Sequence, residues 1–211
     1  MTRKDVPNLL THLRLGLAGL TLAGLLTAAF GAELIGDLRL VAALVFASLV
    51  AFVLAALTDF FDGWLARRWD AGSAWGATLD PIADKLAVAA AVIGLLAVQP
   101  RLSLAVAGAV ILFREIFVSG LREAGGARGL RFPVTRLAKW KTTVQLVALS
   151  LEMGAAGLRI AAYALGRPQA LWPPVLTGAD ALLWVAAALT AITGAQYAAA
   201  ARAGLRRAGE R

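Results

Sequence analysis

Six apolar blocks, each about long enough to cross a bilayer, decide what this chain can become. They run over about residues 8–30, 40–58, 79–98, 102–121, 137–165 and 181–201. A bilayer core takes roughly 20 residues of helix, and these blocks use nearly the whole chain. The hydrophobic share of 60% is well above that of a soluble domain. The expectation is an all-α membrane protein of six transmembrane helices, forming one domain over residues 1–211 with no soluble appendage. The opening residues Met1 to Asn8 are charged and precede no small-residue cleavage site, so the first block is expected to be retained.

Charge orients the blocks. The N-terminus, the second and fourth connections with their flanking helix ends, and the C-terminus carry 17 of the 21 Lys and Arg residues. The opposite side receives Arg39, Arg101, Arg159 and Arg167. This bias places both termini in the cytoplasm and requires an even number of spans. The net charge of +8 then fits anionic lipid head groups and phosphorylated substrates better than nucleic acid. The second connection, Asp59 to Thr78, is polar and densely charged, whereas the fifth, Gly166 to Asp180, holds Pro168, Pro173 and Pro174 and is not expected to be a continuous helix. Trp64, Trp69, Trp75 and Trp140 fall where tryptophan anchors helices at head-group depth.

The chain has no cysteine and a single histidine, His12, which removes thiolate and multi-histidine metal sites. What it has is aspartate. Asp59 and Asp62 are three apart at the end of the second block, and Asp80 and Asp84 are four apart at the start of the third. Each spacing puts both carboxylates on one helical face. Four carboxylates meeting at a membrane boundary repel one another and need cations. Mg²⁺ or Mn²⁺, two ions about 4 Å apart, suits an all-oxygen site and clamps a phosphoryl group during displacement. Gly63 leaves backbone open to a ligand, Ala66 keeps the helix surface low, and Arg67 reaches a diphosphate with a bidentate fork. Gly72 and Gly76 loosen the connection, and Ser73 offers a hydroxyl. Arg68 and Asp70 read as ordinary solvated charges.

The pattern Asp59-x-x-Asp62-Gly63-x-x-Ala66-Arg67, eight residues, Gly76-x-x-x-Asp80-x-x-x-Asp84 resembles the signature of the CDP-alcohol phosphotransferases, position for position. The resemblance implies a six-helix membrane fold and a homodimer; with the charge bias, the polar active-site cavity is expected on the cytoplasmic side of a bacterial inner membrane. It implies that Asp59, Asp62 and Asp80 bind the metals, while Asp84 deprotonates the attacking hydroxyl and also touches a metal. Asn8, Thr11, Gly63, Arg67, Ser73 and Gly76 would contact the CDP-diacylglycerol donor, and CMP would leave.

Three further stretches narrow the acceptor. Pro7-Asn8-Leu9-Leu10-Thr11-x-x-Arg14, then Arg114-Glu115-Ile116 with Ser119-Gly120-Leu121-Arg122-Glu123, then Lys139-Trp140-Lys141-Thr142-Thr143-x-Gln145, are similar to the phosphatidylglycerophosphate synthases of that family. The implied acceptor is glycerol 3-phosphate, with Arg114, Arg122, Lys139 and Lys141 as its phosphate site. The nearest rival is a sibling enzyme acting on serine, an inositol phosphate or phosphatidylglycerol. A divalent-cation transporter is more remote, because beyond the cluster only Glu115, Glu152 and Asp180 stand near spans and mark no path.

Overall fold

The computed structural model describes residues 5–69, 74–127, 136–167 and 172–209. Among them every regular element is a helix. These are α1 (Asp5–Phe30), a single short turn α2 (Ala32–Ile35), α3 (Leu38–Trp69), α4 (Ala74–Val98), α5 (Leu102–Gly126), α6 (Arg136–Ala164) and α7 (Trp172–Gly209). Six of them contain a stretch long and apolar enough to span: Asn8–Phe30, Leu38–Phe61, Thr78–Val98, Leu102–Gly126, Trp140–Ala164 and Val175–Arg206. A backbone in hydrocarbon has no water to bond, so each span closes its peptide groups within its own helix.

Two connections are more helical than the sequence suggests. The polar stretch after Asp59 continues α3 to Trp69, and α4 begins at Ala74. At 1.5 Å per residue the 32 residues of α3 reach about 48 Å, well past a hydrocarbon core of about 30 Å. Asp59 falls near that boundary. In the fifth connection, Pro173 and Pro174 lie in the first turn of α7. There the missing N–H groups have no helical partner to lose. Inside α4, Pro81 stands between the two aspartates. The ammonium of Lys85 donates to its carbonyl at 2.7 Å.

Helix α1 packs between α3 and α4; α3 meets α6, α6 meets α7, and α7 meets α5, which returns to α4. The core inside this ring is Leu25, Val45, Phe52, Leu95, Leu104, Ile111, Leu149, Met153 and Leu183, all fully buried or nearly so. Small residues set the closest approach. A Cβ on Gly94 of α4 would stand 2.5 Å from Cδ1 and 2.7 Å from Cβ of Leu25 on α1, so those two backbones meet only because position 94 has no side chain.

A second polar group lies at the far end of α4. Glu152 of α6, 0% exposed, accepts from Gln99 at 3.1 Å and pairs with Arg101. Arg101 also reaches Asp180 of α7 at 3.2 Å, and Ser103 donates to the same carboxylate. One guanidinium thus ties the α4–α5 corner to α6 and α7.

Candidate active site

Thr11 and Arg14 sit three apart on α1, on the face that meets both α3 and α4. Arg14 is 1% exposed, and a buried guanidinium requires carboxylate partners. Among the described residues it finds two: its Nη1 lies 2.9 Å from Oδ1 of Asp59 on α3 and 2.7 Å from Oδ1 of Asp84 on α4. The Thr11 hydroxyl donates to Oδ1 of Asp80 at 2.7 Å. Helix α1 therefore fixes three of the four expected aspartates from behind, while Asp59 and Asp84 stay about half exposed toward the cavity. Asp62 follows one turn after Asp59 on α3, with its side chain outside the described residues.

The donor chemistry fits a hard divalent cation. Three of the aspartates line one cavity. Among the described contacts the cation that meets them is Arg14, at Asp59 and Asp84, since Lys85 turns to the Pro81 carbonyl. Negative charge is left over, carried by oxygen ligands of the kind Mg²⁺ and Mn²⁺ take. Among the described residues no three acidic, histidine or cysteine groups converge enough to enclose an ion by themselves.

The cavity that Asp59, Asp80 and Asp84 line has a volume of about 1170 Å³, and its α5 and α6 side carries three cations. Arg114 and Arg122 enter from α5, and Lys141 from α6, beside Ser119 and Thr143. Its walls include Val53, Leu57, Phe60, Val147 and Leu151. An inner recess of about 100 Å³ touches Arg14, Asp59, Asp84, Glu115, Lys141 and Gln145, so the two sides communicate. Lys139 is in the first turn of α6, its side chain outside the described residues.

Sequence reading did not assign Arg14, Glu115, Gln145 or Tyr197 to the site. Arg14 was visible only as part of the first-helix motif. Glu115 pairs with the ammonium of Lys141, which is 3% exposed. Lys141 is therefore a compensated charge, while Arg114 stands 3.4 Å from the same carboxylate. Gln145, 1% exposed, has a carbonyl oxygen without a hydrogen-bond partner. Nothing in the sequence links Tyr197 to Arg114, whose guanidinium carbon lies 5.6 Å from its ring centroid.

The expected donor-lipid residues are divided. Asn8 and Thr11 share a face of α1, with Thr11 bonded to Asp80; Gly76 is buried in the first turn of α4. Gly63 and Arg67 lie in the last turns of α3, with the Arg67 side chain outside the described residues, as is Ser73 altogether.

Several curated bacterial proteins are similar to this chain. A CDP-diacylglycerol–glycerol-3-phosphate 3-phosphatidyltransferase of Cereibacter sphaeroides is 43% identical, over 71% of this chain and 79% of that protein. Proteins of the same name from Rickettsia bellii and Escherichia coli are 42% and 40% identical, over 69% and 76% of this chain and 74% and 81% of their own lengths. Residues 4–192 match the CDP-alcohol phosphatidyltransferase family, and with the relatives this shows that the chain belongs to it.

Proposed function

We propose that this protein transfers the phosphatidyl group of CDP-diacylglycerol to glycerol 3-phosphate, giving phosphatidylglycerophosphate and CMP. The observation that carries the reading is one cavity lined by aspartates from α3 and α4, cations from α5 and α6, and apolar side chains. A lipid diphosphate and a small phosphorylated alcohol need all three. The relatives named for this reaction cover most of the chain and support the choice of acceptor.

Asp59, Asp62, Asp80 and Asp84 are the residues that would hold Mg²⁺ or Mn²⁺. When bound, such ions offset phosphoryl charge and acidify a nearby hydroxyl. Asp84 accepts the proton of the glycerol hydroxyl as its oxygen bonds to the diacylglycerol-bearing phosphorus. The bond from that phosphorus to the oxygen of CMP breaks, and CMP leaves with the electron pair. Arg14 holds Asp84 and Asp59 in register, and Thr11 holds Asp80. Arg114, with Arg122 and Lys139, takes the acceptor phosphate, and Lys141 joins them as Glu115 releases its ammonium. Asn8, Gly63, Arg67, Ser73 and Gly76 serve the CDP moiety.

The charge bias of the connections supports a cytoplasmic site with both termini on that side of an inner membrane. The homodimer implied by the family resemblance is part of the same proposal. The exposed apolar residues Phe113, Ile116 and Phe117 of α5 suit either lipid or a second copy. Mass measurement in detergent decides between one chain and two.

The test is direct. Purified protein, CDP-diacylglycerol and Mg²⁺ are offered glycerol 3-phosphate, serine, an inositol phosphate or phosphatidylglycerol, and CMP and lipid products are measured. Turnover with glycerol 3-phosphate alone is expected. Preference for any other alcohol overturns the acceptor.

A further inference from the structure

The family match ends at residue 192, yet α7 continues to Gly209, and two of its later residues meet a side chain of the cavity, with Tyr197 itself in the cavity wall. Gly194 and Tyr197 are three apart, on one face of α7, and both are buried. Each meets Arg114 of α5. A Cβ on Gly194 would stand 2.9 Å from Cγ of Arg114, so the arginine stem lies against bare α7 backbone. The Arg114 guanidinium then sits over the Tyr197 ring at 5.6 Å, inside the range of about 6 Å for a cation–π contact.

Charge pairing explains only part of this placement, because the ion pair of Arg114 is a long contact from Nη1 to its neighbour Glu115. Glu115 is 3.4 Å from Arg114 and engages Lys141 more closely. The Arg114 Nε is buried without a hydrogen-bond partner. Stacking on an aromatic face holds a guanidinium by its plane and leaves the edge N–H groups for a ligand. Arg114, Tyr197 and Lys141 all line the large cavity.

We propose that Gly194 and Tyr197 are positioning residues that seat the Arg114 guanidinium on the α5 and α6 side of the cavity, with its donor edge turned to the acceptor's phosphate. The proposal rests on the reading of the acceptor as a phosphorylated alcohol. It makes the last spanning helix part of acceptor recognition, beyond the aspartate signature.

The experiment measures CMP release by the purified full chain with Mg²⁺, titrating glycerol 3-phosphate and CDP-diacylglycerol separately. Tyr197→Leu removes the ring and Gly194→Ala displaces the stem. Each is expected to raise KM for glycerol 3-phosphate on the order of 3- to 30-fold, with KM for the lipid unchanged. Tyr197→Phe keeps the ring and restores the wild-type KM. Tyr197→Leu added to Arg114→Ala costs nothing further, because the two act through one guanidinium. Alanine is the better helix former, so Gly194→Ala carries the test should Tyr197→Leu not fold. Equal shifts in both KM values, no shift in either, or full additivity with Arg114→Ala overturns the seat. Wild-type protein that ignores glycerol 3-phosphate overturns the acceptor reading, and the seat for its phosphate falls with it.

Discussion

Asp84 and Arg14 show how one side chain limits another. The Asp84 carboxylate has an Arg14 contact at 2.7 Å and stays half exposed to the cavity, so it is held without being sealed off. Replacing it by asparagine preserves size and one ligand oxygen but removes the basicity. Since general-base catalysis contributes about 10²–10⁴ in rate, Asp84→Asn should lose at least about 10²-fold in kcat. Steady-state assays should find KM for the lipid little changed; loss of donor binding as well would make Asp84 chiefly a metal ligand. Arg14→Lys keeps the charge but has a different reach and donor geometry from the Nη1 that meets both Asp59 and Asp84. One lost hydrogen bond to a charged group is worth about 1.5–3 kcal/mol. A fall in kcat of roughly 10- to 100-fold is expected from that loss. Unchanged turnover would show that the bridge is dispensable.

Helix pairs carry the stability. Contact between α1 and α4 depends on Gly94, and Gly94→Ala would press a methyl group into Leu25. Overpacking of this kind costs typically about 1–3 kcal/mol, so the melting temperature in detergent should fall. At the far end of α4, Arg101→Ala leaves the fully buried Glu152 without its cation. Breaking a buried pair from one side costs about 3–5 kcal/mol, whereas replacing both partners with apolar groups is often neutral. Thermal unfolding should therefore rank Arg101→Ala well below the double variant Arg101→Ala/Glu152→Leu. Equal melting temperatures would show that the clamp contributes little. About 15 residues of α4 separate this clamp from Asp84, roughly 22 Å, so the ratio of the two KM values should not move.

At the scale of the whole molecule, the helices form a ring whose charged cavity opens at one end. Activity should disappear with a chelator and return with added Mg²⁺ or Mn²⁺, because oxygen ligands of excess negative charge favour those ions. Full turnover in metal-free buffer would defeat the metal-dependent mechanism. Topology is open to an equally direct test, since the chain contains no cysteine and any single introduced thiol is unique. Glu123→Cys lies in the last turn of the helix that carries the fourth span and Arg167→Cys just after the fifth span, both exposed. An impermeant maleimide added to intact cells should label position 167 and spare position 123. The reverse pattern would invert the molecule.

The spans and the paired aspartates were legible because they are local properties. Hydropathy over about 20 residues defines a span, and a spacing of three or four defines a helical face. The same locality made the connections look less helical than they are: charges after Asp59 mark the end of a span, not of a helix. What the sequence did not reveal are the pairings between helices. Arg14 finds Asp84 across 70 positions, and Thr11 finds Asp80 across 69. Lys141 finds Glu115 across 26, and Arg101 finds Glu152 across 51. Those partners follow from which helix packs on which, and from the rotation of each about its axis. Small residues such as Gly94 and Gly194 permit that packing without announcing it. Sequence alone thus determined a six-span bundle with a carboxylate-rich boundary. Only the tertiary structure decided which cation holds those carboxylates, which carboxylate quenches Lys141, and which aromatic ring carries Arg114, because each choice is made by contact between helices far apart in the chain.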